Sequence, residues 1–364
     1  MQNLLMFMMG GAALLGAWDC IRGNRLGLGR QFEEGFLCLG ASALNMVGII
    51  CVAPALAGLL GPVIRFFYGI LGADPAMFGS LFANNMGGYQ LSMALADSRP
   101  AGEFAGLVVS SMLGASIVYT IPVGMELVGE ENRKWFAQGV MLGLAAVPGG
   151  SLAGGLVMGL PLGMLARNTL PIVLTAGALL AGFTWFRESL MKNFLVFAQG
   201  IRCVAVAALG IAAFRYMTGI VLIPGMLDIR EAMEIIGEMG VTQLGSLPLA
   251  VCFTRAFRKP FQWIGKAAGI SSQAVAAIPV CCVNAVAAFT MMRDMDPKGI
   301  VVNAAWITGS ICVFTAHLAF TKTVEPQLLG AVIMGKLVCG GLAVLFALGV
   351  WRLTGMSGQN MSQT

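Results

Sequence analysis

Two adjacent asparagines, Asn84 and Asn85, sit in the middle of a long apolar stretch and are followed by Met86-Gly87-Gly88. Asparagine and glycine are poor mid-helix residues, and asparagine is a good helix-end residue. Within a membrane such a tip can end two half-helices and free amide and carbonyl groups to hold a polar solute. Gln90 lies beside it. A second apolar stretch carries Asn284 and opens on Ser271, Ser272 and Gln273. Asn84, Asn85, Gln90 and Asn284 are therefore the first candidates for substrate coordination, with helix capping as the competing role. Hydroxyl side chains follow: Ser110, Ser111, Ser116, Tyr119 and Thr120 in one span, Thr308, Ser310 and Thr315 in another. Small hydroxyls in spans commonly serve helix packing. Tyr119 and Thr315 are retained as substrate contacts. His317, the single histidine, is a candidate contact near the end of a span.

Acids are sparse. Glu234 and Glu238 are spaced i, i+4 on one helix face, where a carboxylate could balance a substrate cation or stand as a solvated helix-start charge. Glu234 is the candidate counter-charge. Glu33 and Glu34 precede a span and suit a cap. Asp19 stands three residues before Arg22, the spacing of a local ion pair. Asp74 and Ser271 are candidates for holding a coupling cation. The nine cysteines all fall in or beside apolar segments and read as small packing residues. With one histidine and no ligand spacing, no metal site is expected. No nucleotide motif or nucleophile–base set is present, so neither a cofactor nor enzymatic chemistry is expected.

The elements that must carry these residues are membrane spans. The 364 residues are 58% hydrophobic and only 11% charged, and mean hydropathy is +0.84. A soluble domain needs far more polar surface. Runs of about 20 apolar residues, enough to cross a core about 30 Å thick, recur along the whole chain. They are continuously apolar, unlike the alternating strands of a β-barrel. The first run has no basic leader region and reads as a retained helix. Net charge is +5, but the cations lie in short connections, where they orient the chain and do not mark nucleic-acid binding.

Eleven apolar stretches can be drawn. If all cross, Lys and Arg divide almost evenly between the two sides. If 75–96 and 270–292 dip in and return, the division becomes fifteen against five, with Arg215 and Lys336 left inside spans. The charge rule favours the second arrangement: an all-α polytopic membrane protein with nine crossings and two re-entrant hairpins, eleven crossings being the alternative. The halves also match in order. Pro100 and Gly102 correspond to Pro297 and Gly299, Val118-Tyr119-Thr120 to Val313-Phe314-Thr315, and Asn85 to Asn284. This gives two inverted repeats, 1–160 and 196–352, joined by a linker helix at 161–195 and followed by a disordered tail at 353–364.

The ordered set Gln31-Phe-Glu-Glu-Gly-Phe36, Gly61-Pro-Val-Ile64, Gly72-Ala-Asp-Pro-Ala-Met-Phe78, Met86-Gly-Gly88, Ile223-Pro-Gly225, Ala232-Met-Glu-Ile-Ile-Gly237, Met291-Met292, Met295-Asp296, His317-Leu318 and Gly335-Lys336 resembles the ethanolamine-utilisation permease family, EutH. The resemblance implies a bacterial cytoplasmic-membrane permease for ethanolamine or a close amino alcohol, passive or ion-coupled. Its implied partners are a small amine substrate and the lipid bilayer, and it allows homo-oligomerisation. Two departures bear on the substrate. The family pattern has an acid before Met-Gly-Gly and another before His-Leu; this chain has Asn85 and Ala316. A carrier of another small polar metabolite and a non-transporting scaffold or enzyme are the rival readings.

Overall fold

The computed structural model describes residues 2–81, 88–256, 259, 260, 262, 263, 265 and 269–353. The expected tail lies almost wholly outside them. Among the described residues there is no strand. Eight helices of the described residues are long and apolar enough to cross a membrane: α1 Gln2–Ile21, α2 Gly29–Leu71, α5 Arg99–Leu127, α6 Arg133–Val157, α7 Leu162–Trp185, α8 Arg187–Thr218, α9 Ile229–Ala256 and α14 Leu329–Leu353. Helix is the form these runs must take, because it satisfies interior backbone groups within one segment. The short helices are α3 Ala76–Gly79, α4 Gly88–Leu95, α10 Ser272–Cys281, α11 Ala285–Met291, α12 Pro297–Ser310 and α13 Ala316–Val324.

Hydrogen bonds between chain ends decide how the short helices run. The Asp74 carboxylate accepts from the backbone N–H groups of Asp97 at 3.2 Å and Ser98 at 3.3 Å. Arg65 also pairs with Asp97. The stretch 75–96 therefore returns to the end of the bundle it left. At the other hairpin, Lys298 Nζ donates to the Gly269 carbonyl at 2.9 Å, and Asn303 Nδ2 donates to the Ala274 carbonyl at 2.9 Å. That stretch also returns. The α5 helix leaves the Asp74 end and finishes at Leu127, whose carbonyl accepts from Arg293 beside the second hairpin. The two hairpins thus enter from opposite ends. This excludes eleven crossings. The ninth crossing is α12 with α13, a single path interrupted at 311–315. The Lys298 end carries the excess of Lys and Arg, the charge pattern of a cytoplasmic end.

Both helices that follow a hairpin are irregular. From Phe104 to Gly114 and from Ser116 to Thr120, α5 is π-helical. The α12–α13 path unwinds altogether at Ile311-Cys-Val-Phe-Thr315, where Cys312 takes φ +47°. A left-handed β-carbon residue is costly and needs support from its surroundings. The support comes from the second hairpin, as described below.

Asp19 does not pair with Arg22. Its carboxylate accepts from the N–H groups of Leu26, Leu28 and Gly29 at 2.8–2.9 Å, tying the end of α1 to the start of α2. Arg22 lies over the Trp18 ring instead. Orphan N–H groups at a helix start are a stronger lure for a carboxylate than an exposed guanidinium.

Candidate functional site

The second hairpin breaks at 282–284, between α10 and α11, and the unwound stretch 311–315 runs across the break. Cys312 N–H donates to the Cys281 carbonyl and Phe314 N–H to the Cys282 carbonyl, both at 3.1 Å. Thr315 Oγ1 donates to the Val283 carbonyl at 3.0 Å. Two interrupted helices thus satisfy each other's backbone. Non-helical backbone at membrane depth is tolerated only where protein or a polar cavity receives it. Asn284 accepts from Ala287 N–H at 3.1 Å and so caps α11. Loss of this cap in Asn284→Ala is expected to lower stability by about 1 kcal/mol. Thermal unfolding in detergent reads this, and Asn284→Asp, which keeps the acceptor, should recover most of it.

Other sequence candidates gather at this crossing. Tyr119 of α5 faces Phe289 of α11 with ring centroids 6.5 Å apart. His317, in the first turn of α13, is buried. Most span hydroxyls bond back to their own helices: Ser111 to Val108, Thr308 to Ala304 and Ser310 to Trp306. Ser116 Oγ also reaches the Thr308 carbonyl at 3.1 Å, joining α5 to α12. The Thr120 hydroxyl is buried and has no hydrogen-bond partner among the described residues. An orphaned buried hydroxyl next to Tyr119 is a group that a polar solute could satisfy.

Sequence reasoning passed over two residues. Lys336 of α14 is fully buried, and its Nζ donates to the Ser111 carbonyl of the π-helical stretch at 2.6 Å. The signal was its charge inside an apolar run. Arg215, the other such cation, merely reaches the Met226 carbonyl in the loop after its own helix. Glu325, at the end of α13, is 4% exposed. It accepts from Tyr89 of α4 at 2.8 Å and from Arg99 at 2.7 Å, and Gln327 contacts its other oxygen. Arg99 also binds Glu103 at 2.7 Å. One guanidinium between two carboxylates leaves the cluster at the Asp74 end with one net negative charge.

The remaining candidates are dispersed. Asn84 and Asn85 lie outside the described residues. Gln90 is half-buried in α4, and Glu234 and Glu238 are exposed on α9. Asp74 and Ser271 stand at opposite ends of the bundle and share no site. Each binds backbone: Asp74 as above, and Ser271 by accepting from Ala274 N–H at 3.4 Å. Glu33 accepts from Cys20 and Glu34 pairs with Arg30.

With this geometry in hand, the chain matches the family described as "Ethanolamine utilisation protein, EutH" over residues 1–350. It is 39% identical over 364 residues to the "Probable ethanolamine permease EutH" of Listeria monocytogenes, covering 100% of this chain and 97% of that protein. It is 34% identical over 347 residues to "Uncharacterized protein YxeR" of Bacillus subtilis, covering 95% and 94%. With the "Probable ethanolamine permease EutH" of Escherichia coli it shares 33% over 343 residues, covering 87% and 84%. No solved structure matches.

Proposed function

Because the chain belongs to the EutH family and is a multi-pass membrane permease, we propose that it carries ethanolamine, or a closely related small amino alcohol, across the bacterial cytoplasmic membrane. The observation that carries this reading is the crossing of 282–284 with 311–315. It gathers main-chain carbonyls, Thr315, Tyr119 and His317 inside the bundle, in a part of the chain where regular helix would offer a solute nothing. A primary amine such as that of lysine titrates near ~10.4, so ethanolamine is a cation at neutral pH and crosses hydrocarbon poorly. The Glu325–Arg99–Glu103 cluster supplies net negative charge at the outer end to draw it in.

The proposed plan is an inverted duplication of units 1–160 and 196–352. Hairpins entering from opposite ends support it, as do helix distortions at the matched positions 118–120 and 313–315. Alternating access would be rocking of these units about the crossing. The sequence counterpart of Asn284 in the first unit is Asn85, which lies outside the described residues.

A second reading has its own support. Position 85 holds Asn and position 316 holds Ala where the EutH pattern carries acids, which suits a neutral relative of the amino alcohol. Uptake of labelled ethanolamine, choline and 1,2-propanediol into proteoliposomes separates the two. Saturable ethanolamine uptake, with choline and the diol excluded, is the expected result. Uptake of the diol alone would replace the amine reading with the neutral one, and uptake of none would remove both.

A further inference from the structure

Lys336 is a cation enclosed at the crossing, and among the described residues no carboxylate pairs with it. Of the 17 acidic residues in the sequence, all but Glu238 lie in a connection or within about two turns of a helix end, and Glu238 is exposed on α9. The titratable groups within electrostatic reach of Lys336 are His317 on α13, Cys312 in the unwound stretch, Cys281 and Cys282 at the hairpin break, and Cys339 on its own helix. Of the other elements packed on α14, α6 and α12 carry only Arg133, Lys134 and Lys298, all in their first turns; α5 carries Glu103, paired with Arg99 near its start, and Glu126 in its last turn, both well along the helix from Ser111; and the turn at 326–328 follows Glu325, which Tyr89 and Arg99 already hold. Its described hydrogen bond is to the neutral Ser111 carbonyl.

An isolated ammonium at membrane depth is expensive and marks function by default. Here it also poses a problem for the proposed cargo. Two unit charges about 8 Å apart, at an effective dielectric of about 20, oppose each other by roughly 30-fold in affinity. An ethanolammonium ion at the crossing would meet that penalty with no carboxylate to relieve it.

We propose that the substrate ammonium and the proton on Lys336 are mutually exclusive occupants of the crossing. This rests on the amine-permease reading above and supplies its coupling. When the substrate arrives from one side, the Nζ–H bond of Lys336 breaks and its proton passes to water on that side. The substrate keeps its own proton, so the charge of the site stays at one. After the substrate leaves on the far side, Lys336 takes a proton there and carries it back. The cycle exchanges one ammonium for one proton and moves no net charge. The hairpin break keeps its bonds to 311–315 in both states.

The test is proton release on binding, measured on the full-length protein in weakly buffered detergent at pH 7 with a pH indicator while ethanolamine hydrochloride of the same pH is added. Calorimetry on the same samples reads affinity. Wild type should release about one proton per chain at saturation. Lys336→Met should bind more tightly than wild type, by up to about 30-fold, and release none. Lys336→Arg, whose charge does not leave, should bind at least 30-fold more weakly than Lys336→Met. A purely structural ammonium predicts the reverse order, with Arg tolerated and Met failing, and that order would overturn the proposal. Binding by wild type without proton release would overturn it as well, and needs no variant to fold. In that case the amine reading survives, whereas absence of any ethanolamine binding by wild type removes both.

Discussion

In proteoliposomes, Ala316→Glu is expected to lower the ethanolamine concentration for half-maximal uptake about tenfold. Ala316 is the first residue of α13, half-buried, directly before His317 and one residue after the Thr315 bond to the hairpin. A carboxylate in a first turn is favoured by the unpaired N–H groups and the helix dipole. It would also place a negative charge beside His317, which itself lies within reach of Lys336. Whether the new acid faces Lys336 or the substrate, the site loses its net positive charge and the cation is admitted more readily. This is also where the resemblance to EutH leads to the expectation of an acid. An unchanged or raised half-saturation, with the variant folded, would show that the charge at the crossing does not govern amine affinity. The same preparation should show a smaller gain, or a loss, for the neutral diol.

The second large effect concerns folding. Gly48 of α2 lies against the backbone of α8, and a β-carbon there would fall on the Ala205 carbonyl and the Leu209 amide. Backbone cannot swing aside as a long side chain can, so α2 and α8 must separate to admit one. Small residues at such contacts are what let membrane helices approach closely. Gly48→Leu is expected to cost at least about 3 kcal/mol, the upper range for overpacking, and to abolish the monodisperse peak in fluorescence-detected size-exclusion chromatography. Gly58→Ala, on the same helix with open space around it, should leave the peak and the melting temperature unchanged. A well-behaved Gly48→Leu protein would contradict the α2–α8 packing.

The spans and the returning hairpins were legible because their signals are compositional. Hydrocarbon thickness sets the length of an apolar run, and the Lys and Arg imbalance between ends sets its direction. Asn284 was legible as a helix-end residue and is one. The break at 311–315 was not. Ile311, Cys312, Val313, Phe314 and Thr315 include neither glycine nor proline, and nothing local forbids them a helix. The break exists because carbonyls of the distant 281–283 segment accept the bonds that a helix would have kept to itself, a tertiary cause with no local trace. Glu234 shows a different limit. Its i, i+4 spacing with Glu238 does put both on one face, but that face of α9 is exposed, and periodicity cannot say which face turns inward. Glu325 was missed because a glutamate before a proline at a span's end looks solvated, whereas Tyr89 and Arg99 reach it from elements more than 200 residues away.

In the proposed site, substrate sits where 311–315 crosses the second hairpin. Cys312 lies at that crossing and is partly accessible. With the other eight cysteines replaced, the rate at which a small maleimide alkylates Cys312 can be followed with and without substrate. Saturating ethanolamine is expected to slow alkylation at least about fivefold, with half-protection at the concentration that half-saturates uptake. An unchanged alkylation rate, in a preparation that still takes up ethanolamine, would contradict it.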